Sequence, residues 1–166
     1  MITVNIPYFL PVRPYCLEDQ YTGGLELRGE DVMLDLNFER DWIEIHKLEP
    51  VKTMVGRIVS MDEKNRASLH KEYTDPDGTI VRYYLQHLLE KVWRPILEKR
   101  IDFHNKAITP IEQLLKGLRL ERAGFYPENE DVFAVFDYCV EPHYSGSVIA
   151  MHFNSKGKLQ EILMET

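Results

Sequence analysis

Histidine is the residue type that first raises the question of a metal site or of acid–base catalysis in this chain. The histidines are His46, His70, His87, His104, His143 and His152. No two of them stand in a His-Glu-x-x-His or a His-x-His arrangement, and no pair of cysteines lies near them. The spacing that brings several ligands onto one metal ion is therefore missing. We expect structural or solvated histidines and no metal.

Two short motifs resemble parts of known sites, and we interpret both as turns. Residues 75–78 (Asp-Pro-Asp-Gly) resemble a fragment of a calcium loop, but the full loop would place acids where Tyr73 and Tyr84 stand. Ser145 lies close to His143, yet a nucleophile elbow needs a glycine two residues before the serine and a strand-to-helix turn. The sequence thus predicts no catalytic residue and no cofactor.

Acidic and amide side chains are the remaining candidates for a site. The candidate residues are Glu128, Glu130, Asp131, Asp35, Asn37 and Glu39. The first three share one predicted hairpin loop, and the other three follow the polar side and the end of a predicted strand. Such a loop is either a solvated turn or an acidic surface that steers a basic partner, since clustered charge speeds encounter.

Composition limits the classes of partner. The chain has 166 residues, 27 acidic against 20 basic side chains, and a formal net charge of −7. Nucleic acids and anionic membrane surfaces attract Lys and Arg, so both are disfavoured as partners. A basic protein partner agrees with this charge. The length agrees with one domain that spans residues 1–166.

The N-terminus and the cysteines bear on location. Residues 1–8 lack the basic start and the apolar stretch of a signal peptide, and no window approaches the length of an apolar membrane span. We expect a cytoplasmic protein. Cys16 and Cys139 are predicted to be reduced and mostly buried, with a disulfide between them as the alternative.

Periodicity of two residues predicts the strands. Residues 24–38 form a hairpin with its turn at Gly29-Glu30-Asp31, and the alternation turns Asp35 and Asn37 away from the core. Four further strands follow at 118–126, 132–140, 147–153 and 158–164, each bounded by turn residues. The sequence predicts an α+β fold with a mostly antiparallel sheet, made of the N-terminal hairpin and the C-terminal four-stranded meander.

Helices are predicted between these two groups of strands, packed on one face of the sheet. Asp41 and Pro50 each mark a helix start, and the polar stretch 62–74 is interpreted as a weakly packed, solvent-facing helix. Thr79 is expected to cap a strongly amphipathic helix over 79–94 that lies across the sheet. Thr109 begins a last short helix through a capping box.

Two stretches resemble a known family. Residues 148–166 show a strand, a Phe-Asn-x-x-Gly turn, a second strand and a terminal Glu-Thr pair, and residues 32–39 (Val-Met-Leu-Asp-Leu-Asn-Phe-Glu) match an early strand. Both resemble a family of small bacterial proteins catalogued as a domain of unknown function. The resemblance implies no catalytic residues. It does imply a link to immunity proteins, because some relatives lie beside bacterial toxin genes.

The leading hypothesis is a non-catalytic bacterial protein that binds another protein, and the resemblance implies an immunity-type inhibitor of a toxin. One alternative is a small-ligand-binding domain or an enzyme, with a pocket between the sheet and helix 79–94 where Tyr83, His87 and an acid meet. Another is a structural homodimer that uses an exposed sheet edge. The protein is expected to be a monomer or a homodimer.

Overall fold

Strands from both ends of the chain join in one sheet. The structure is a computed structural model that describes residues 1–142 and 144–166, and within these it contains six strands and five α-helices. The strands are β1 (Gln20–Leu27), β2 (Glu30–Asn37), β3 (Arg119–Phe125), β4 (Ala134–Cys139), β5 (Val148–Phe153) and β6 (Leu159–Glu165).

The strands lie side by side in chain order. Neighbours are antiparallel except β2 and β3, which are parallel. A parallel pair needs a long crossover connection, and here all the helices lie between β2 and β3. The predicted α+β class is confirmed, as is the joining of the N-terminal hairpin to the C-terminal meander.

The hairpin turn lies one residue earlier than predicted. Arg28 and Gly29 have φ angles of 54° and 79°, and Leu27 pairs with Glu30 across them. Two residues with positive φ make the tight turn whose twist suits a hairpin. Glu30 and Asp31 therefore belong to β2, because alternation determines which face a residue takes but not which residues make the turn.

Short helices and loops precede the longer helices of the crossover. The helical elements are a 3-10 helix (Ile45–Leu48), α1 (Glu49–Gly56), α2 (Ile58–Thr74), α3 (Ile80–Lys91), α4 (Arg94–Leu97) and α5 (Pro110–Lys116). Pro50 lies in the first turn of α1, and Thr109 and Glu112 form the predicted capping box of α5. The helix start predicted at Asp41 is wrong. The Asp41 carbonyl accepts from the Leu17 amide, so this segment is tied to the N-terminal segment instead.

The helix predicted over residues 62–74 is confirmed and most of it is exposed or half-buried, but the prediction that it faces solvent is wrong for one side. Asp62, Asn65 and Leu69 of α2 are all buried. The Tyr138 hydroxyl on β4 donates to Asp62 Oδ1 at 2.8 Å, and Arg66 Nε donates to Asp62 Oδ2 at 3.0 Å. A buried carboxylate is tolerated when its oxygens are paired in this way. The polar face of α2 thus packs against the sheet.

The amphipathic helix α3 packs as predicted. Val81, Tyr84, Leu85 and Leu88 are buried in the hydrophobic core. Its N-terminus is not capped by Thr79. Glu72 of α2 accepts instead from the amides of residues 80 and 81, at 2.8 Å each. Sequence spacing reveals only local caps, and this one comes from the preceding helix.

Candidate functional site

The two faces of the sheet differ in chemistry. Directly paired residues on neighbouring strands share a face. One such row runs across the sheet through Met33, Arg122, Asp137, Ala150 and Leu163. The alternate residues of these strands belong to the hydrophobic core that also contains helical side chains. We call the side that carries this row the outer face, because it lies away from the helices.

An ionic cluster centred on Arg122 occupies the middle of the outer face. Arg122 donates to Asp35 through Nε at 2.6 Å and through Nη2 at 2.7 Å, and to Asp137 through Nη1 at 3.0 Å. It also donates to the Tyr126 hydroxyl at 2.8 Å, and Asn37 Nδ2 donates to Asp35 at 2.6 Å. Strands β2, β3 and β4 are thereby linked through side chains.

The electrostatic environment of the cluster keeps the Arg122 guanidinium positively charged. Burial alone would lower the pKa of Arg122, but the hydrogen bonds with Asp35, Tyr126 and Asp137 outweigh it and raise that pKa. Burial raises the pKa of Asp137, and the hydrogen bond from Arg122 opposes the rise. A guanidinium held between two carboxylates neither gives nor takes a proton near neutral pH. The arrangement links the strands through a fixed positive charge.

Gly124 provides the space in which the guanidinium lies. A Cβ added at Gly124 would stand 2.4 Å from Arg122 Nη2 and 3.0 Å from Asp35 Oδ2. Any other residue would push the guanidinium out of its place. The Arg-x-Gly spacing on β3 is the sequence signal that accompanies this cluster.

The structure corrects the expectation for Asp35. This residue does lie away from the core, but it is only 4% exposed, because Arg122 covers it. Asn37 is half-buried and bonded to Asp35 and to the Phe125 carbonyl. Sequence reasoning missed Arg122, Asp137 and Tyr126 because the neighbour of β2 in the sheet could not be read from the chain.

The two predicted acidic groups meet at one end of the sheet. Glu128 Oε2 accepts from the Glu39 amide at 2.5 Å, and Arg40 Nε donates to Glu128 Oε1 at 3.3 Å. Glu128 is therefore occupied by partners within the chain and is not a free carboxylate. Glu130 and Asp131 are exposed. A cleft of about 200 Å³ at this end is lined by Asn37, Phe38, Glu39, Tyr126, Glu128 and Asn129.

Exposed apolar side chains lie near these acids. Trp42 is 44% exposed, and the Arg40 guanidinium that pairs with Glu128 stands 5.4 Å from its ring centroid. Met33 is also exposed, at 52%, but it lies further along the outer face, beside Arg122. Phe125, a neighbour of the loop in sequence, lies in the core instead. The surface thus combines carboxylates with a tryptophan and a methionine.

Tyr83, which was expected to line a pocket between the sheet and helix 79–94, lies on the exposed side of α3. Tyr83 is 62% exposed and stacks on His87 with ring centroids 6.4 Å apart. Two cavities lie elsewhere in the part of the chain that the structure describes. One of about 700 Å³ lies beside α1 and α2, and one of about 550 Å³ lies between α2 and α5.

The other chemical motifs prove to be turns or isolated side chains. Asp75 Oδ1 accepts from the Asp77 amide, and Ser145 Oγ accepts from the Ser147 amide. His143 lies outside the described residues. Among residues 1–142 and 144–166, no three His, Cys, Asp or Glu side chains are grouped to hold a metal ion.

Neither cysteine forms a disulfide, and they differ in exposure. Cys139 is buried and Cys16 is exposed, so the expectation that both thiols are mostly buried is wrong for Cys16. The proline-rich N-terminal segment packs through Val4 and Val12 but leaves Cys16 at the surface.

The structure was also searched for membrane-spanning helices, and the chain was compared with known proteins. No helix in the described residues has both the length and the apolar character needed to cross a membrane. Comparison of the chain with protein-family models, with curated proteins and with solved structures gave no match.

Proposed function

We propose that this is a non-catalytic bacterial protein of the cytoplasm that binds a basic segment of another protein. The observation that carries the proposal is the charge of the outer face. Its exposed acids include Glu26, Asp31, Glu161 and Glu165, whereas Arg122 is held by its own two aspartates. A surface of one sign attracts a partner of the other and speeds its encounter.

The end of the sheet at loop 127–131 is the proposed centre of contact. Exposed ion pairs contribute only about 0–1 kcal/mol each, so Glu130 and Asp131 act mainly on the association rate. Affinity needs a buried aromatic or apolar anchor, and the exposed Trp42 is well placed for that role. Glu128 contributes indirectly, because it holds Arg40 and the end of β2.

The resemblance to immunity-associated proteins suggests the finer form of this proposal, an inhibitor that covers the basic surface of a toxin. The partner would then be the product of a toxin gene next to the gene for this chain. Co-expression with that toxin should protect the cell. Loss of protection should follow from Trp42→Ala, with the fold intact by circular dichroism.

In the direct test, the protein is immobilised and an extract of the native host is passed over it at low salt, so that binding partners are retained. The variant Glu26→Gln/Asp31→Asn/Glu161→Gln removes three exposed carboxylates from the outer face. A matched control, Glu63→Gln/Asp77→Asn/Glu90→Gln, removes the same side-chain types from exposed positions on the helical side. These six acids take part in no ion pair among the described residues. A partner whose retention falls equally with both variants would contradict the proposal.

Once a partner is identified, the loop is tested by kinetics. Glu130→Gln/Asp131→Asn should lower the association rate at low salt, and the difference should fade near 0.15 M salt, where screening acts over about 8 Å. Dissociation should change little. An unchanged association rate at low salt would remove the loop from the contact.

A further inference from the structure

A cavity on the helical side of the sheet has a chemistry opposite to that of the outer face. It measures about 700 Å³ and lies between α1, α2 and the turn that joins β5 to β6. Its lining from the sheet is Phe153 and Leu159, which pack against the core. The size falls in the range of small-molecule sites, which is about 300–1,000 Å³.

The floor of the cavity is apolar, with one buried amide. Met54 and Phe153 are buried, and Met61 is half-buried. Asn65 is 3% exposed. It lies beside the Tyr138 hydroxyl, whose own proton goes to Asp62.

The rim of the cavity is cationic. Arg57, Lys64 and Lys156 line it and are exposed. None of the three is in an ion pair within residues 1–142 and 144–166. Glu49 is the acid among the lining residues. A chain of net charge −7 thus places three cations around one cavity.

Local structure explains how these cations reach the rim. The helical path breaks between α1 and α2, and Arg57 stands at the break with φ −108° and ψ 12°. Lys156 belongs to a turn whose amides at 156 and 158 both donate to Asn154 Oδ1. Gly157 follows with φ 77°, and a Cβ there would lie 3.9 Å from Met54 Cε. The turn is therefore ordered and lies close to α1.

We propose that this cavity binds a small organic anion with an apolar body. The anionic head, a carboxylate or a phosphate ester, would meet the guanidinium and ammonium groups of the rim. The apolar body would cover Met54, Met61 and Phe153. Like charges around one cavity repel each other, and an anion between them relieves that repulsion. The cavity lies on the helical side of the sheet, and its rim adjoins the proposed protein contact, because the Ser155 amide donates to the Glu130 carbonyl at 3.1 Å.

The first experiment titrates the protein with the fluorescent probe anilinonaphthalene sulfonate, an aromatic anion. Saturable binding at one site per chain is expected. Arg57→Gln/Lys64→Gln should raise the dissociation constant about tenfold, the effect of two exposed charge contacts. The matched control Lys71→Gln/Lys91→Gln removes two exposed lysines outside the cavity and should leave it unchanged. An equal loss of probe affinity in both double variants, or probe binding that does not saturate, would overturn the proposal.

A second set of measurements locates the bound probe and identifies the chemical class of the ligand's anionic head group. The side-chain amide of Asn65 should shift in proton NMR spectra on titration, since it lies at the floor. Thr53→Trp, at an exposed lining position of α1, should block binding while the thermal midpoint stays within a few degrees. Displacement by decanoate indicates a carboxylate ligand, and displacement by naphthyl phosphate a phosphate ester. Displacement by neither, or an unshifted Asn65 amide, would refute the site.

Discussion

The substitution Gly124→Ala tests whether the Arg122 cluster holds the sheet together. The new methyl carbon would stand 2.4 Å from Arg122 Nη2, well inside contact distance. The guanidinium has to leave its bonds with Asp35, because backbone on both sides holds β3 in place. Asp35 is 4% exposed and would remain buried without its cation.

The magnitude follows from two opposing effects. Breaking a buried ion pair while one charge stays buried costs about 3–5 kcal/mol. Replacing glycine by alanine reduces the entropy of the unfolded chain and returns about 0.4–1 kcal/mol. The net loss in free energy of unfolding is therefore about 2–4 kcal/mol. For a chain of this size each kcal/mol lowers the thermal midpoint by roughly 2–4 °C.

The assay is urea unfolding followed by far-ultraviolet circular dichroism. Tryptophan fluorescence is a poor probe, since Trp42 and Trp93 are already 44% and 71% exposed in the folded state. Gly24→Ala is the control, because Gly24 lies on the same face and a Cβ there meets only an ordinary contact at 3.5 Å. It should leave stability unchanged or raise it by up to about 1 kcal/mol, the entropic effect alone.

A double-mutant cycle tests whether Gly124→Ala destabilises the protein by its steric conflict with the Arg122 guanidinium. In an Arg122→Ala background the side chain no longer reaches Gly124, so Gly124→Ala should be nearly neutral. The coupling free energy between the two positions should then equal the loss in the parent chain, about 2–4 kcal/mol. If Gly124→Ala costs the same in both backgrounds, the guanidinium is not the group it displaces, and the reasoning fails.

Three further predictions concern the helices and the thiols. Leu88→Ala should lower the free energy of unfolding in urea by about 2–5 kcal/mol, because Leu88 lies on the buried side of α3 and is fully buried. A loss below roughly 0.5 kcal/mol, the scale of a surface change, would contradict the packing. Glu72→Ala should cost about 0.5–2 kcal/mol by removing the cap of α3, whereas Thr79→Ala should cost much less, and the reverse order would refute the assignment. Cys16 should react with a thiol reagent in the folded protein and Cys139 only on unfolding, since burial and the neighbouring Glu121 raise the pKa of the Cys139 thiol to about 12; equal rates would contradict this.

Local patterns in the sequence predicted what local physics decides. Alternation in 32–38 assigned the core residues of β2, and the apolar spacing in 79–94 identified the buried side of α3. The capping box at Thr109 was predicted correctly because both partners lie within one turn. Each of these features depends on residues at most a few positions apart.

The features that the sequence did not reveal depend on distant residues. The stretch 62–74 looked solvent-facing because its polar side chains have no visible partner nearby, but Asp62 is paired with Tyr138 across 76 positions. Asp35 looked free for the same reason, and its partner Arg122 lies 87 positions away. A polar residue is buried only where a partner meets it, and the sheet order that decides such meetings cannot be read from periodicity.

The outer face has a seam where the N-terminal hairpin joins the meander. In the described residues the parallel pairing of β2 with β3 joins four residue pairs, against eight between β1 and β2, and parallel pairing is somewhat less stable for each residue. The Arg122 cluster crosses this seam. The proposed partner surface also straddles it, since Glu39 belongs to the hairpin side and Glu130 to the meander side. The ionic cluster therefore helps to set the relative position of the two acidic groups, together with the bonds of Glu128 to the Glu39 amide and to Arg40. A variant that releases Arg122 should weaken partner binding as well as the fold.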